Sequence, residues 1–273
     1  MRVSIIITTY NSPRWLQKVL WGFAVQTHQD FEILIADDGS GDETRTLIDQ
    51  MRAETGMDIH HVWHEDDGFR KTAILNKAIV EATTDYLLFT DGDCIPRKDF
   101  LQVHVDHAEK GYFLSGGYFK LPMATSEAIT KEDIETQRCF DVAWLKANGL
   151  ARTYKTLKLK ARGWRQRLLN GVTPAKATWN GHNASGWKSD ILAVNGYNED
   201  MQYGGLDREL GERLMNAGIK GKQIRYSAVV VHLDHKRGYA TQESIEKNRR
   251  IRDEVAEQKI TWTPNGIKKE VLK

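Results

Sequence analysis

"YLLFTDGDCIP", residues 86–96, decides how the rest of this chain is read. Tyr86, Leu87, Leu88 and Phe89 form an apolar run of strand-favouring type, as a buried strand requires. Asp91 and Asp93 then follow with only Gly92 between them. Two carboxylates at that spacing repel each other, and neither can be buried unpaired without a large cost. The exit of this strand therefore calls for positive charge beside it, and a divalent cation is the first candidate. An Asp-Gly turn is the plain alternative.

Working outward, strand-like and helix-like segments alternate, which is the pattern of a parallel sheet with crossover helices. Strands are expected at 3–9, 31–36, 59–63 and 86–90. Ser12 and Pro13 read as an N-cap and first helical position, with Trp15, Leu16, Val19, Leu20 and Phe23 at helical spacing up to about residue 27. Asp42 is expected to cap a helix running to about residue 55, and a third helix is expected over 72–82. Polar clusters stand where the strands end: Thr8, Tyr10 and Asn11, then Asp37 and Asp38, then residues 66–70, then Asp91 and Asp93. Ligands of open α/β sheets bind beyond the carboxyl ends of the strands, so the four clusters are expected to converge on one crevice. A plain turn would not need to be repeated at each strand end.

The second half is less regular. A fifth strand is expected over 112–119. The stretch 145–171 then carries Lys146, Arg152, Lys155, Lys158, Lys160, Arg162, Arg165 and Arg167 and no acid. Interleaved with Trp144, Tyr154, Trp164 and several leucines, these cations suit a segment lying on an anionic membrane surface, although a solvated helix face packed by its apolar side reads equally well. After "YGG" a helix from about residue 206 buries Leu206, Leu210 and Leu214 and keeps Asp207 near its positive end, where a carboxylate stays ionised. Gly204 and Gly205 are read as allowing close backbone approach. The division expected is 1–110, 111–240 and a helical tail over 241–273, the first two forming one unit.

Of the 273 residues 40% are hydrophobic and 28% charged, which is ordinary for a soluble globular chain, and a net charge of +2 gives no reason to expect a nucleic-acid partner. Cys94 and Cys139 have neither a metal-ligand spacing nor a disulfide pattern. The short apolar run at the start is less than a signal peptide, and no later stretch approaches about 20 apolar residues. A cytoplasmic protein is expected, one that can be peripheral on the inner face of the membrane.

The motifs "VSIIITTYN", "FEILIADDGSGDET" and "DYLLFTDGDCIP", taken in order, resemble the start of the family 2 glycosyltransferases. "GHNASGWKSDILAVNGYNEDMQYGGLDRELGERL" and "VVVHLDHKR" are similar to the C-terminal portion of galactosyltransferases and bacterial chondroitin-type polymerases. The resemblance implies a GT-A fold, in α/β class with a mostly parallel central sheet flanked by helices. It also implies an inverting hexosyltransferase that uses a nucleotide sugar, normally a UDP-sugar, with Mn2+ or Mg2+, in bacterial surface polysaccharide or lipopolysaccharide synthesis on a glycan or lipid-linked glycan acceptor. Carried over by position, Thr8, Tyr10 and Asp38 line the nucleotide, with Asp38 at the uracil. Asp91 takes the ribose or metal side, Asp93 ligates the metal, and Asp207 is the general base. Asn76 and Arg70 fall in the donor segment, where Leu75 replaces the usual arginine and Arg70 or Lys71 is available in its place. Leu206 replaces the usual glutamate of an acceptor contact.

The resemblance also offers His232, at the end of "AVVVH", as a metal ligand. His235, Lys236 and Arg237 are basic residues that can close over the pyrophosphate. Two other classes compete. A sugar nucleotidyltransferase usually opens with a glycine-rich phosphate loop, which "TTYNSPRW" lacks. A non-catalytic carbohydrate-binding protein leaves the strand-end acids without a purpose.

Overall fold

In the computed structural model the described residues are 1–235 and 241–269. The strands are β1 (Val3–Thr9), β2 (Phe31–Asp37), β3 (Ile59–Trp63), β4 (Tyr86–Asp91), β5 (Cys94–Pro96), β6 (Tyr112–Ser115), β7 (Gly117–Lys120), β8 (Ala184–Trp187), β9 (Lys220–Gln223) and β10 (Val229–His232). Seven of them form one sheet in the order β3-β2-β1-β4-β8-β6-β9, and β5-β10-β7 form a second, small sheet. The first four strands of the large sheet are parallel, and β8 runs antiparallel to both β4 and β6. The large sheet thus continues across residue 110, with β4 of the first half paired to β8 of the second.

Helices cover both faces of the parallel part, which is why β1 and β2 are apolar on both sides rather than alternating. On one face the core gathers Ile5, Ile7, Leu16, Leu20 and Phe23, and on the other Ile6, Leu34, Ile74, Ile79 and Leu87. The chain leaves β1 toward β2 on one side and returns to β4 on the other. The reversal of strand order therefore lies between β1 and β4, the place where α/β sheets open a ligand crevice. Register sets Thr8 of β1 opposite Asp91 of β4 there.

Several expectations need correction. The strand expected over 112–119 is two strands in different sheets, with the chain crossing over at Gly116. A Cβ on Gly116 would lie 1.9 Å from Oδ1 of Asn183. That asparagine donates to the carbonyls of Gly117 and Ala228 and so stitches β7 to the chain entering β10. The first helix, Pro13–Ala24, ends earlier than residue 27, and Ser12 makes no side-chain cap bond. Asp42 is the first residue of Asp42–Thr55 rather than its cap, a place held by Gly41, and its charge lies in the first turn where the helix dipole favours an acid. Gly204 and Gly205 serve the turn as well as close approach: both adopt positive φ, 111° and 87°, and a Cβ would lie 3.3 Å from Ile245 on the first and 3.0 Å from Arg252 on the second. In the tail, the helix Gln242–Glu257 packs against Leu206–Asn216 and is followed by non-helical chain up to residue 269. No helix of the described residues is long and apolar enough to cross a membrane.

Candidate active site

Asp91 closes β4 at the crevice and is held from two sides. Thr8 Oγ1 donates to its Oδ1 at 2.7 Å, and Lys71 Nζ reaches the same oxygen at 2.7 Å. Lys71 opens the helix Lys71–Glu81, where a cation opposes the helix dipole, and the Asp91 pair offsets that cost. Burial works against both charges, but the pair dominates: the Asp91 carboxyl lies well below the usual carboxylate range, and the Lys71 ammonium well above its own. Lys71 also feels the charges of Asp207 and Asp93, which makes it the common neighbour of the three acids.

Asp93 faces the other way. Its Oδ2 lies 3.7 Å from His232 Nε2 and 3.0 Å from His235 Nε2, and Cys94 Sγ donates to its Oδ1 at 3.3 Å. His232 ends β10, whose antiparallel pairing with β5 places it opposite Cys94. Its Nδ1 stands 2.7 Å from the carbonyl of Leu233, which can only accept, so Nδ1 carries a proton and Nε2, on the side of Asp93, is the nitrogen able to offer a lone pair to a metal. A carboxylate oxygen and an imidazole lone pair facing each other fit a hard divalent cation, and one ligand atom each from Asp93, Cys94 and His232 fall within 4.8 Å of one another. Burial beside Asp93 keeps the Cys94 thiol protonated, which leaves Asp93 and His232 as the residues of this group able to hold a divalent cation.

Asp207 occupies the first turn of Leu206–Asn216, next to Gly205 at the N-cap. The helix is anchored by buried Arg213, which pairs with Glu209 at 2.7 Å and donates to the carbonyls of Val194 and Gly196. The hydroxyl of Tyr197, itself accepting from Trp179 Nε1, donates to Asp207 Oδ1 at 3.4 Å. Burial, followed among the raising effects by the negative charge of Asp91, pushes the Asp207 carboxyl up to about 6, against the opposing pull of Lys71 and the Gly181 N–H.

The ends of β1, β2 and β3 meet through three loops. Asp38 is buried, accepts from His64 Nε2 at 2.8 Å and from the backbone N–H of Arg70 at 3.1 Å, and burial raises its carboxyl. Tyr10 is exposed and donates to Asp66 at 2.8 Å. Arg70 meets Asp38 through its backbone, while its guanidinium turns to Asp67 at 3.3 Å. Asp37 is fully buried, paired with His61 and the Ser40 N–H, and so builds the turn rather than the crevice.

Thr8, Asp91, Asp93, Asp207 and His232 thus come together, with His235 beside Asp93. Asn76 does not join them: it is 3% exposed, and its amide is committed to the backbone of Tyr197 and to Glu199. Lys236 and Arg237 lie outside the described residues. The structure adds His182 to this neighbourhood: its ring packs edge-on to Tyr118 at 4.5 Å and burial holds its imidazole down to about 4. It lies inside the quoted "GHNASGW", but no local spacing ties it to the acids of β4.

Comparison with known proteins agrees with this fold. The mannosyltransferase PcManGT of Pyrobaculum calidifontis, solved with GDP-Man and Mn2+, aligns at a TM-score of 0.58 and 20% identity over 87% of this chain and 58% of its own. S. aureus TarS residues 1–349 with UDP aligns at 0.61 and 15%, over 92% and 64%. These likenesses show the fold, the GT-A fold of glycosyltransferases. The validoxylamine A glucosyltransferase of Streptomyces hygroscopicus is 28% identical over 236 residues, 80% of this chain and 52% of its own length. The chain spans 31% or less of three other glycosyltransferases that are 30 to 32% identical over 102 to 113 residues, those of Nostoc and two Rickettsia species. Residues 4–160, more than half of the chain, match the family described as glycosyl transferase family 2. That match shows that the chain belongs to glycosyl transferase family 2.

Proposed function

We propose that this chain is an inverting, metal-dependent glycosyltransferase that moves a sugar from a UDP-sugar to a hydroxyl of a glycan, of the surface-polysaccharide or lipopolysaccharide kind that the sequence resemblance implies. The observation that carries the reading is the placement of two different kinds of acid around Lys71: Asp93 facing His232, and Asp207 raised to about 6 by burial. An aspartate with that value is ionised at neutral pH yet more basic than an ordinary carboxylate, which suits a general base. Asp207 takes the proton of the acceptor hydroxyl as its oxygen bonds to the anomeric carbon from the face opposite the donor phosphate. The bond from that carbon to the phosphate oxygen breaks with its electron pair, UDP leaves, and the configuration inverts. Mn2+ or Mg2+ held by Asp93 and His232 would supply Lewis-acid stabilisation of the departing diphosphate.

Thr8, Tyr10, Asp38 and Asp91 are assigned to the nucleoside, and Lys71 to fixing Asp91 and tempering the negative charge of the crevice. His235, Lys236 and Arg237 are assigned to the leaving pyrophosphate. A donor panel tests the reading: with Mn2+ the chain should release UDP slowly from a UDP-sugar. Release should vanish with a chelator and in Asp93→Ala, whose melting temperature should stay near that of the native chain. Pyrophosphate formed from UTP and a sugar phosphate would instead identify a nucleotidyltransferase, and sugar binding without turnover a binding protein.

A further inference from the structure

The helix Trp164–Val172 is turned inside out. It has no buried residue, and its large apolar side chains Trp164, Leu168 and Val172 are 69%, 53% and 64% exposed. At about 100° per residue, positions 164, 168 and 172 fall within roughly 80° of arc and form one stripe. The opposite side of the helix is polar, and it is this side that meets the protein. Asn170 Nδ2 donates to Ser227 Oγ at 2.8 Å, its Oδ1 accepts from the Tyr226 N–H at 2.9 Å, and Gln166 Nε2 donates to the Ala161 carbonyl at 3.1 Å. A surface helix that only packs on its own domain has the reverse arrangement, apolar inward and polar outward. An apolar stripe held outward by polar anchors is built to meet something else that is apolar.

Charge says what that is. Arg165 and Arg167 flank the stripe on its two sides, both exposed, and no acid occurs between residues 142 and 189, a stretch that also holds exposed Tyr154 and Leu157. An apolar stripe edged by cations fits the headgroup-to-acyl boundary of an anionic bilayer, where the indole sits at the interface and the guanidinium groups meet lipid phosphates. The same segment also reaches the crevice: Lys158 Nζ donates to the Tyr118 carbonyl at 3.1 Å, and the Tyr118 ring packs against His182.

We infer that Trp164–Val172 is a membrane-docking helix that seats this face of the protein on anionic lipid. The inference does not depend on the reaction assigned above, because docking is scored without a sugar donor. The experiment is sedimentation of the 273-residue chain with vesicles containing phosphatidylglycerol and with vesicles of phosphatidylcholine alone. Binding is expected only to the anionic vesicles, and it should be released at about 0.5 M salt, where the Debye length falls to about 4 Å. Arg165→Gln and Arg167→Gln should each weaken binding about 5-fold, the factor equivalent to about 1 kcal/mol per cation. Trp164→Ser with Leu168→Ser should abolish binding while leaving the melting temperature and vesicle-free UDP release unchanged, since neither side chain is buried.

Absence of binding to anionic vesicles would overturn the inference, as would equal binding to neutral ones or full binding by the Trp164/Leu168 variant. A concentration-dependent dimer that this variant dissolves, without vesicle binding, would assign the stripe to a second copy. Retention on single-stranded RNA in place of vesicles would assign it to nucleic acid.

Discussion

Asp207 costs the fold something that its proposed role as a base requires. Its raised value means that ionisation is disfavoured by the folded site: this group's contribution to stability is fully present below the ordinary carboxylate value, near 4, and is lost as the pH rises through about 6. Asp207→Asn removes that cost, so at pH 8 its melting temperature should be no lower than the native one. Its affinity for UDP should be unchanged, and its transfer rate should fall about 100-fold or more, the usual contribution of a general base. Calorimetry, UDP titration and turnover of the one variant separate a base from a structural acid, for which all three would fall together. The pH profile is a second check. In the native enzyme kcat/KM should decline about tenfold per unit below about pH 6, as Asp207 takes up its proton, and the acid limb should be absent from the residual activity of Asp207→Asn.

Among the elements, the crossover at Gly116 is the most exacting. β6 and β7 belong to different sheets, and the chain passes between them in one residue, against the side chain of Asn183. Asn183 is fully buried and bonds Gly117, Ala228 and His104, so it has no room to yield. Gly116→Ala should therefore destabilise the protein by about 1–3 kcal/mol or more, the usual range for forcing an extra carbon into a packed interior. Urea unfolding measures it, and a loss within about 0.5 kcal/mol, ordinary for a surface site, would mean that the crossover is not held there. Disturbing this joint would also shift β10, and with it His232 against Asp93.

For the molecule as a whole, the buried imidazoles set the behaviour in acid. His104 is fully buried between Asn183 Oδ1 and Ser185 Oγ, and burial holds it down to about 3. A depressed histidine contributes stability above its unfolded value, near 6.5, that is lost as the pH falls toward its folded value, because only the unfolded chain takes the proton. His104 should thus add about 1.4 kcal/mol per pH unit to the slope of unfolding free energy between about pH 6 and 4. Comparing that slope in the native chain and in His104→Gln isolates the contribution even if the variant is less stable overall. Equal slopes would show that the imidazole is protonated in the folded state.

Periodicity and turn chemistry alone carried the first four strands and the helices between them, since each is specified by contiguous residues: "VSIIITT" cannot be solvated, and Ser12-Pro13 cannot continue a strand. The same reasoning placed Asp91 and Asp93 at a strand exit and Asp207 near the start of a helix, because those places are local. What those acids face is not local. Lys71 is 20 residues from Asp91, and His232 is 139 residues from Asp93. Asn76, in the same helix as Lys71, turns to Tyr197 instead of the crevice because the pitch of that helix points it to the other side. The split at Gly116 also escapes a local reading, since "YFLSGGYF" has one strand-like pattern and only the approach of Asn183 divides it. Likewise, composition shows that residues 145–171 are basic and aromatic, but which side of the helix meets the protein is decided by Asn170 bonding Tyr226 and Ser227. Local sequence determines what each element is, through short-range sterics and burial pattern; the partner of a buried charge is decided by which elements pack together, and that is a property of the whole fold.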